Sequence, residues 1–141
     1  MNEAELSTSL RESVSGLHKR LRKQTQVVKS FSMTEIETIA HLFRNDKLLP
    51  TELAALTRVK TQSMSQILKK LEEQTIIKRT PSKEDKRKVY ISLTASGKKI
   101  VEKTRYERDE WLKETIEKTL SVKEIEILTK ALPILNKLIQ S

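Results

Sequence analysis

Apolar residues recur along the chain with two periods, and the change of period divides it. From Glu5 to about Lys29 there is no Pro, and Leu10, Val14, Leu17, Leu21 and Val28 follow a 4,3,4,3 spacing with Gln24 in the remaining slot, a heptad-like seam on one long helix. Thr34 with Glu37 forms a capping-box pattern that opens a second helix, with Ile36, Ile39, Ala40 and Phe43 on its apolar face, Leu42 beside them, and a stop near Asn45-Asp46. Pro50 and Thr51 open a short helix, Glu52 to Thr57, that would bury Leu53, Ala54 and Leu56. After the turn Arg58-Val59-Lys60, a third amphipathic run from Thr61 to Gln74 turns Met64, Ile67, Leu68 and Leu71 inward. Its other face carries Gln62, Ser63, Ser65, Gln66, Lys69 and Lys70, with no acid until Glu72.

Strand character appears only at Ile76–Thr80 and Lys88–Leu93, and the charged, turn-rich stretch Pro81–Arg87 between them predicts a two-stranded hairpin with a long tip. Thr94 can cap the next helix, expected from Lys98 to about Thr119 with Ile100, Val101, Trp111, Leu112, Ile116 and, just beyond, Leu120 on its apolar side. Ser121 with Glu124 is a further capping box, followed by a second seam at Ile125, Leu128, Leu132, Leu135 and Ile139. Pro133 inside that seam is expected to kink the helix or end its regular hydrogen bonding. Heptad-like helices at both chain ends can pack on each other or be shared across a two-fold axis. Sharing is the favoured expectation, because the segment between them is small and dimeric DNA readers need such a platform.

With 141 residues, the length fits one domain, 1–141, and two Gly, three Pro and 33% charged residues favour long helices. Charge is unevenly placed: between Arg58 and Tyr90 there are ten Lys/Arg against four acids, which accounts for six of the nine net positive charges. On charge alone a polyanionic partner and a merely solvated lysine-rich surface both fit. The absence of Cys removes disulfides, thiolate metal sites and thiol redox switching, and two separated His, His18 and His41, read as structural rather than as ligands. No metal and no cofactor are expected. The acids sit in caps and on exposed faces, and no nucleophile–base set or glycine-rich phosphate loop can be assembled, which argues against an enzyme. No apolar run approaches the roughly 20 residues of a membrane span, so a cytoplasmic protein with no membrane partner is expected.

Short helix, turn and second helix make a helix-turn-helix, and a helix fits a major groove about 12 Å wide. Gln pairs with adenine edges and Ser or Thr with either kind of base edge, which makes Thr61, Gln62, Ser63, Ser65 and Gln66 candidate base readers, while Lys69 and Lys70 would reach phosphates.

With its hairpin, the segment resembles the winged helix-turn-helix of the MarR family of bacterial transcription regulators. Asp85-Lys86-Arg87 with Leu93-Thr94 and Gly97 matches the family's D-x-R-x5-L-T-x2-G wing signature, supported by Glu52-Leu53-Ala54 and by Leu71-Glu72 ahead of Ile76. The resemblance implies a mainly α fold with a small β-hairpin wing: a head at 34–93 on a helical dimerisation platform formed by 1–33 and 94–141. It implies a homodimer on an inverted repeat in double-stranded DNA, more often repressing than activating. Arg87 would enter the minor groove, held by Asp85, with Lys83 and Lys86 beside it. It also implies a small aromatic effector held where the head meets the platform, although Trp111 and Tyr106 read first as packing residues. Two positions depart from the pattern: Thr75 stands where a left-handed Gly cap is usual, and Lys60 where Ser or Thr usually opens the recognition helix, which leaves the ends of that helix open by about a residue. A nucleoid-type binder without regulatory specificity, or a basic module meeting an acidic protein or RNA, are the alternative classes.

Overall fold

Among the described residues, six helices and one hairpin follow each other in the order the periodicity predicts: α1 (Glu3–Arg22), α2 (Met33–Arg44), α3 (Pro50–Thr57), α4 (Thr61–Glu73), β1 (Ile77–Pro81), β2 (Val89–Leu93), α5 (Ala95–Thr119) and α6 (Val122–Gln140). The computed structural model describes residues 1–25 and 30–141. It contains two compact units, Met1–Gln24 with Glu107–Ser141, and Thr25–Tyr106.

Within unit Thr25–Tyr106, Ile39, Leu42, Leu48, Leu53, Ala54, Met64, Leu68, Leu71, Ile76, Ile77, Ile91 and Leu93 form one buried cluster. α2 begins at Met33, not Thr34: Ser32 caps it, and the box closes on Glu35 (Ser32 N–H to Glu35 Oε1, 2.8 Å; Glu35 N–H to Ser32 Oγ, 3.2 Å). Two overlapping S/T-x-x-E patterns compete here. The one used has its acid anchored from outside the helix, by Lys70 at 2.8 Å. The inward face of α2 is accordingly Glu35, Thr38, Ile39 and Leu42, while Ile36, Ala40 and Phe43 are half-buried. In α3 the expected core residue Leu56 is 49% exposed, and Thr57 turns inward with its hydroxyl donating to the Leu53 carbonyl at 2.7 Å.

Both helices of the helix-turn-helix end in a Schellman motif without glycine. After α3, Val59 N–H reaches Ala54 O and Arg58 N–H reaches Ala55 O, with Arg58 at φ 58°. After α4, Ile76 N–H reaches Leu71 O and Thr75 N–H reaches Glu72 O, with Thr75 at φ 60°. The left-handed position that the sequence pattern reserves for Gly is therefore present and occupied by a β-branched residue, for which it is strained. Thr75→Gly is expected to stabilise the protein by about 1 kcal/mol, net of the flexibility glycine adds to the unfolded chain. Urea unfolding reads the change, and a loss of stability would show that the Thr75 hydroxyl, which donates to Gln74 O at 2.6 Å, outweighs the strain.

The hairpin is antiparallel with Ile77 opposite Leu93, Arg79 opposite Ile91 and Pro81 opposite Val89. That register turns Ile77, Ile91 and Leu93 to the core and Lys78, Thr80, Tyr90 and Ser92 to the other face. Leu48 adds a bridge on the outer side of β2, exchanging hydrogen bonds with Ile91 at 2.8 and 3.0 Å, an element the apolar pattern does not signal. α5 starts at Ala95, three residues before the expected Lys98. Thr94 caps it, its hydroxyl accepting from Gly97 N–H at 3.0 Å and donating to Thr75 O at 2.6 Å.

In the other unit, α1 is capped by Asn2 and Glu5 and ends at Arg22, seven residues short of the expected Lys29. Residues 26–29, with the seam position Val28, lie outside the described residues. α6 opens on the Ser121–Glu124 box and runs through Pro133 to Gln140, so the proline removes one donor without ending the helix. Neither α1 nor α6 contains a buried residue.

Candidate nucleic-acid interface

α4 buries Met64, Leu68 and Leu71 completely, which fixes the rotation of the helix about its axis. Thr61, Gln62, Ser63, Ser65, Gln66 and Lys69 are consequently exposed together on the remaining surface. Lys60 is the N-cap residue and makes no side-chain capping bond, so Thr61 is the first helical residue and the open boundary is resolved. The helix begins with free backbone N–H groups and no acid in its first turn, an arrangement that favours an anion there.

Lys70 is placed differently from Lys69. Its ammonium contacts both oxygens of buried Glu35, at 2.8 and 3.0 Å, and lies 5.8 Å from the centre of the Phe31 ring. Burial alone would push the Glu35 pKa up, but the Lys70 hydrogen bond and the Ser32 capping bonds outweigh it and hold the carboxyl below its ordinary value. The pair ties α4 to the start of α2. Arg79 of β1 donates to Glu72 of α4 at 3.2 Å, tying the base of the hairpin to the end of the same helix. Neither tie is visible in the spacing of residues, because each joins groups that local periodicity treats as solvent-facing.

The hairpin tip is held by its own backbone and side chains. Ser82 N–H donates to Lys88 O at 2.8 Å, Lys88 N–H to Asp85 O at 2.9 Å, and the Ser82 hydroxyl accepts from the N–H groups of Glu84 and Asp85 at 3.3 Å. Asp85 Oδ1 accepts from the Arg87 backbone N–H at 3.1 Å and from its Nε at 3.2 Å, and Oδ2 meets Nη2 at 3.5 Å. The Arg87 side chain is 91% exposed, so its guanidinium is oriented while remaining open to solvent. The guanidinium hydrogen bonds first, then the backbone N–H, hold the Asp85 carboxyl below its ordinary range. Lys83 and Lys86 are exposed on the same tip. Lys47, which local spacing does not single out, stands over the Tyr90 ring at 4.3 Å on the outer face of the hairpin. Its neighbour Leu48, bridged to Ile91, brings it there. Trp111 carries the Arg20 guanidinium at 5.1 Å, and His41 receives a contact from Arg44 at 3.3 Å. Among the described residues no cluster of three or more His, Asp or Glu could hold a metal, and no helix is long and apolar enough to cross a membrane.

A short helix, a left-handed turn, an acid-free second helix and a hairpin whose tip presents an oriented arginine define a DNA-binding winged helix-turn-helix transcriptional regulator. The model of transcriptional regulator SarA/Rot matches residues 20–104, and the chain belongs to that family, whose winged-helix fold is of the MarR type. A helix-turn-helix transcriptional regulator of Mycobacterium tuberculosis, MT0903.1, is 29% identical over 130 residues, covering 92% of this chain and 90% of its own. The structure of a MarR family protein from Bacillus stearothermophilus superposes with a TM-score of 0.77 at 21% identity over 100% of this chain and 99% of that one. A mutant of S. aureus MepR, solved bound to an oligodeoxyribonucleotide, gives a TM-score of 0.72 at 23% identity, covering 95% and 97% of the two chains.

Proposed function

We propose that the protein binds an inverted repeat in double-stranded DNA as a homodimer and represses transcription by occupying its operator. One observation carries the reading: the exposed face of α4 and the Asp85–Arg87 tip lie on one compact unit, in which Lys70–Glu35 ties α4 to α2 and Arg79–Glu72 ties it to the base of the hairpin. α4 enters the major groove, with Thr61, Gln62, Ser63, Ser65 and Gln66 at base edges and Lys69 on phosphate. Arg87 enters the adjacent minor groove, where a narrow AT-rich segment focuses negative potential, and Lys83 and Lys86 neutralise phosphates beside it. Lys70 acts mainly through Glu35, as the strut that sets the angle of α4.

The dimer is supported by the seams of α1 and α6, which stay exposed in the single chain: Leu17 is 47% exposed, Leu132 52% and Ile139 79%. Apolar stripes of this extent are covered in a stable assembly, and a second copy also supplies the second reading head. Two recognition helices then meet half-sites about one helical turn apart. A small aromatic effector releases the operator by binding more tightly to a different spacing of the heads.

A gel shift comparing an inverted repeat with random DNA over a range of salt tests the reading. A specificity ratio near one would leave a nucleoid-type binder in its place. Gln62→Ala and Gln66→Ala are each expected to lose about 1–3 kcal/mol at a single base position. A uniform loss across sequences would instead place that glutamine on the phosphate backbone.

A further inference from the structure

The outer face of the hairpin serves neither the core nor the Asp85–Arg87 pair. Lys78 and Thr80 of β1 and Tyr90 and Ser92 of β2 share that face, and with Asp46 and Lys47, just ahead of the Leu48 bridge, they line an open groove of about 720 Å³. The groove lies wholly within unit Thr25–Tyr106 and extends from Lys78, near the base of the hairpin, to Ser82 and Glu84 at its tip. Four strand residues separate Lys78 from Ser82, a length of about 13 Å.

Two observations set this face apart from an ordinary solvated sheet surface. Lys70, Arg79 and Arg87 of the same unit each have a carboxylate partner, whereas Lys47 and Lys78 form no ion pair among the described residues. Lys47 is also held in place: its ammonium stands 4.3 Å from the centre of the Tyr90 ring, whose π-face orients the cation without neutralising it. Tyr90 lies opposite Thr80, and Lys78 is two residues from Thr80 on the same face, so the residues that anchor the two cations stand about 7 Å apart along the hairpin. The hydroxyls of Thr80 and Ser92 share the face and can bond a backbone laid across it.

We infer that this groove docks an extended acidic segment of a partner polypeptide, with two carboxylates, two residues apart in the segment, on Lys47 and Lys78. Residues i and i+2 of a strand project to one side at the same spacing as the two anchors. A nucleic-acid backbone fits less well, because the exposed carboxylates of Asp46 and Glu84 border the groove and repel a continuous polyanion. A polypeptide places its acids on the lysines and neutral or basic residues against Asp46 and Glu84. The inference stands apart from operator binding, which is measured separately on the same samples.

The full chain, Lys47→Glu and Lys78→Glu are titrated with the fluorescein-labelled peptide Thr-Glu-Thr-Glu-Thr, followed by anisotropy and by amide NMR shifts. Both lysines are exposed, so both variants keep the unfolding midpoint of the natural chain. The expected result is a saturable shift of the Thr80, Tyr90 and Ser92 amides, with binding weakened about fivefold or more in each variant. Lys78→Glu is expected to regain affinity for Thr-Lys-Thr-Glu-Thr, and Thr-Glu-Thr-Thr-Glu-Thr, which breaks the spacing, to bind the natural chain more weakly. No saturable shift at these amides, or an equal response to the respaced peptide, overturns the proposal. A duplex without the inverted repeat that displaces the peptide, and that loses as much affinity as the peptide does in both variants, places nucleic acid in the groove and overturns it as well.

Discussion

Replacing Arg87 by Ala is expected to lower affinity for the inverted repeat about 10- to 100-fold and to reduce the salt dependence of binding by about one counterion, while the unfolding midpoint and self-association stay where they are. The Arg87 side chain is 91% exposed and its hydrogen bonds go to Asp85 across the tip, so its removal takes nothing from the core. Its contribution to binding comes from being oriented before DNA arrives, since a long side chain fixed in advance loses less freedom on insertion into a groove. Asp85→Asn separates orientation from charge. Removing a negative charge beside DNA favours binding, whereas releasing the guanidinium disfavours it, and the expected result is a net loss smaller than that of Arg87→Ala. A gain in affinity for Asp85→Asn would sink the orienting role, and an unchanged affinity for Arg87→Ala would remove the wing from the mechanism. The Asp85 pKa lies below its ordinary value of 3.8, so the pairing is complete above that pH and is lost only as pH falls through the lowered native value. Operator affinity should therefore be insensitive to this pair around neutral pH.

Gly97→Ala is expected to cost about 2–3 kcal/mol of folding stability, even though alanine gains about 1 kcal/mol of helix propensity over glycine. A Cβ at position 97 would stand 2.3 Å from the Ile76 carbonyl oxygen and 3.2 Å from its carbon. That carbonyl cannot step aside cheaply, because it accepts the Thr94 N–H at 3.0 Å and belongs to a residue only 2% exposed. Gly16, by contrast, has nothing within 4 Å of an added Cβ, so the constraint belongs to the position and not to glycine in helices generally. Denaturant unfolding of the variant measures the loss, and a midpoint equal to that of the natural chain would mean that the hairpin and α5 can separate without cost. The same contacts explain the spacing L-T-x2-G physically: Leu93 is core, Thr94 caps α5 and bonds the end of α4, and Gly97 lets the helix approach the backbone at Ile76.

Much of this is legible in the sequence, for a definable reason. Helix periodicity, the Ser121–Glu124 box, the hairpin and the wing pair all depend on groups within a few residues of one another, so spacing along the chain carries them. Where two local patterns overlapped, the sequence could not choose. Thr34–Glu37 and Ser32–Glu35 are equally good boxes, and the partner that selects Glu35 is Lys70, 35 residues further on. Leu56 and Thr57 likewise exchange places: Leu53, Ala54 and Thr57 share the side of α3 that packing buries, and Leu56 is left outside it.

What the sequence determined by itself was the order of elements, the placement of positive charge around residues 58–90 and the identity of the residues on the α4 surface, because apolar spacing alone decides which side of an amphipathic helix is left over. Only the tertiary structure decided that Lys70 holds Glu35, that Leu48 joins the hairpin, that Arg58 and Thr75 take up left-handed backbone without glycine, and that the Nε of half-buried Arg108 has no hydrogen-bond partner among the described residues. Each of these is a pairing, or a lack of one, between groups brought together by packing, and no local spacing encodes which distant group will arrive.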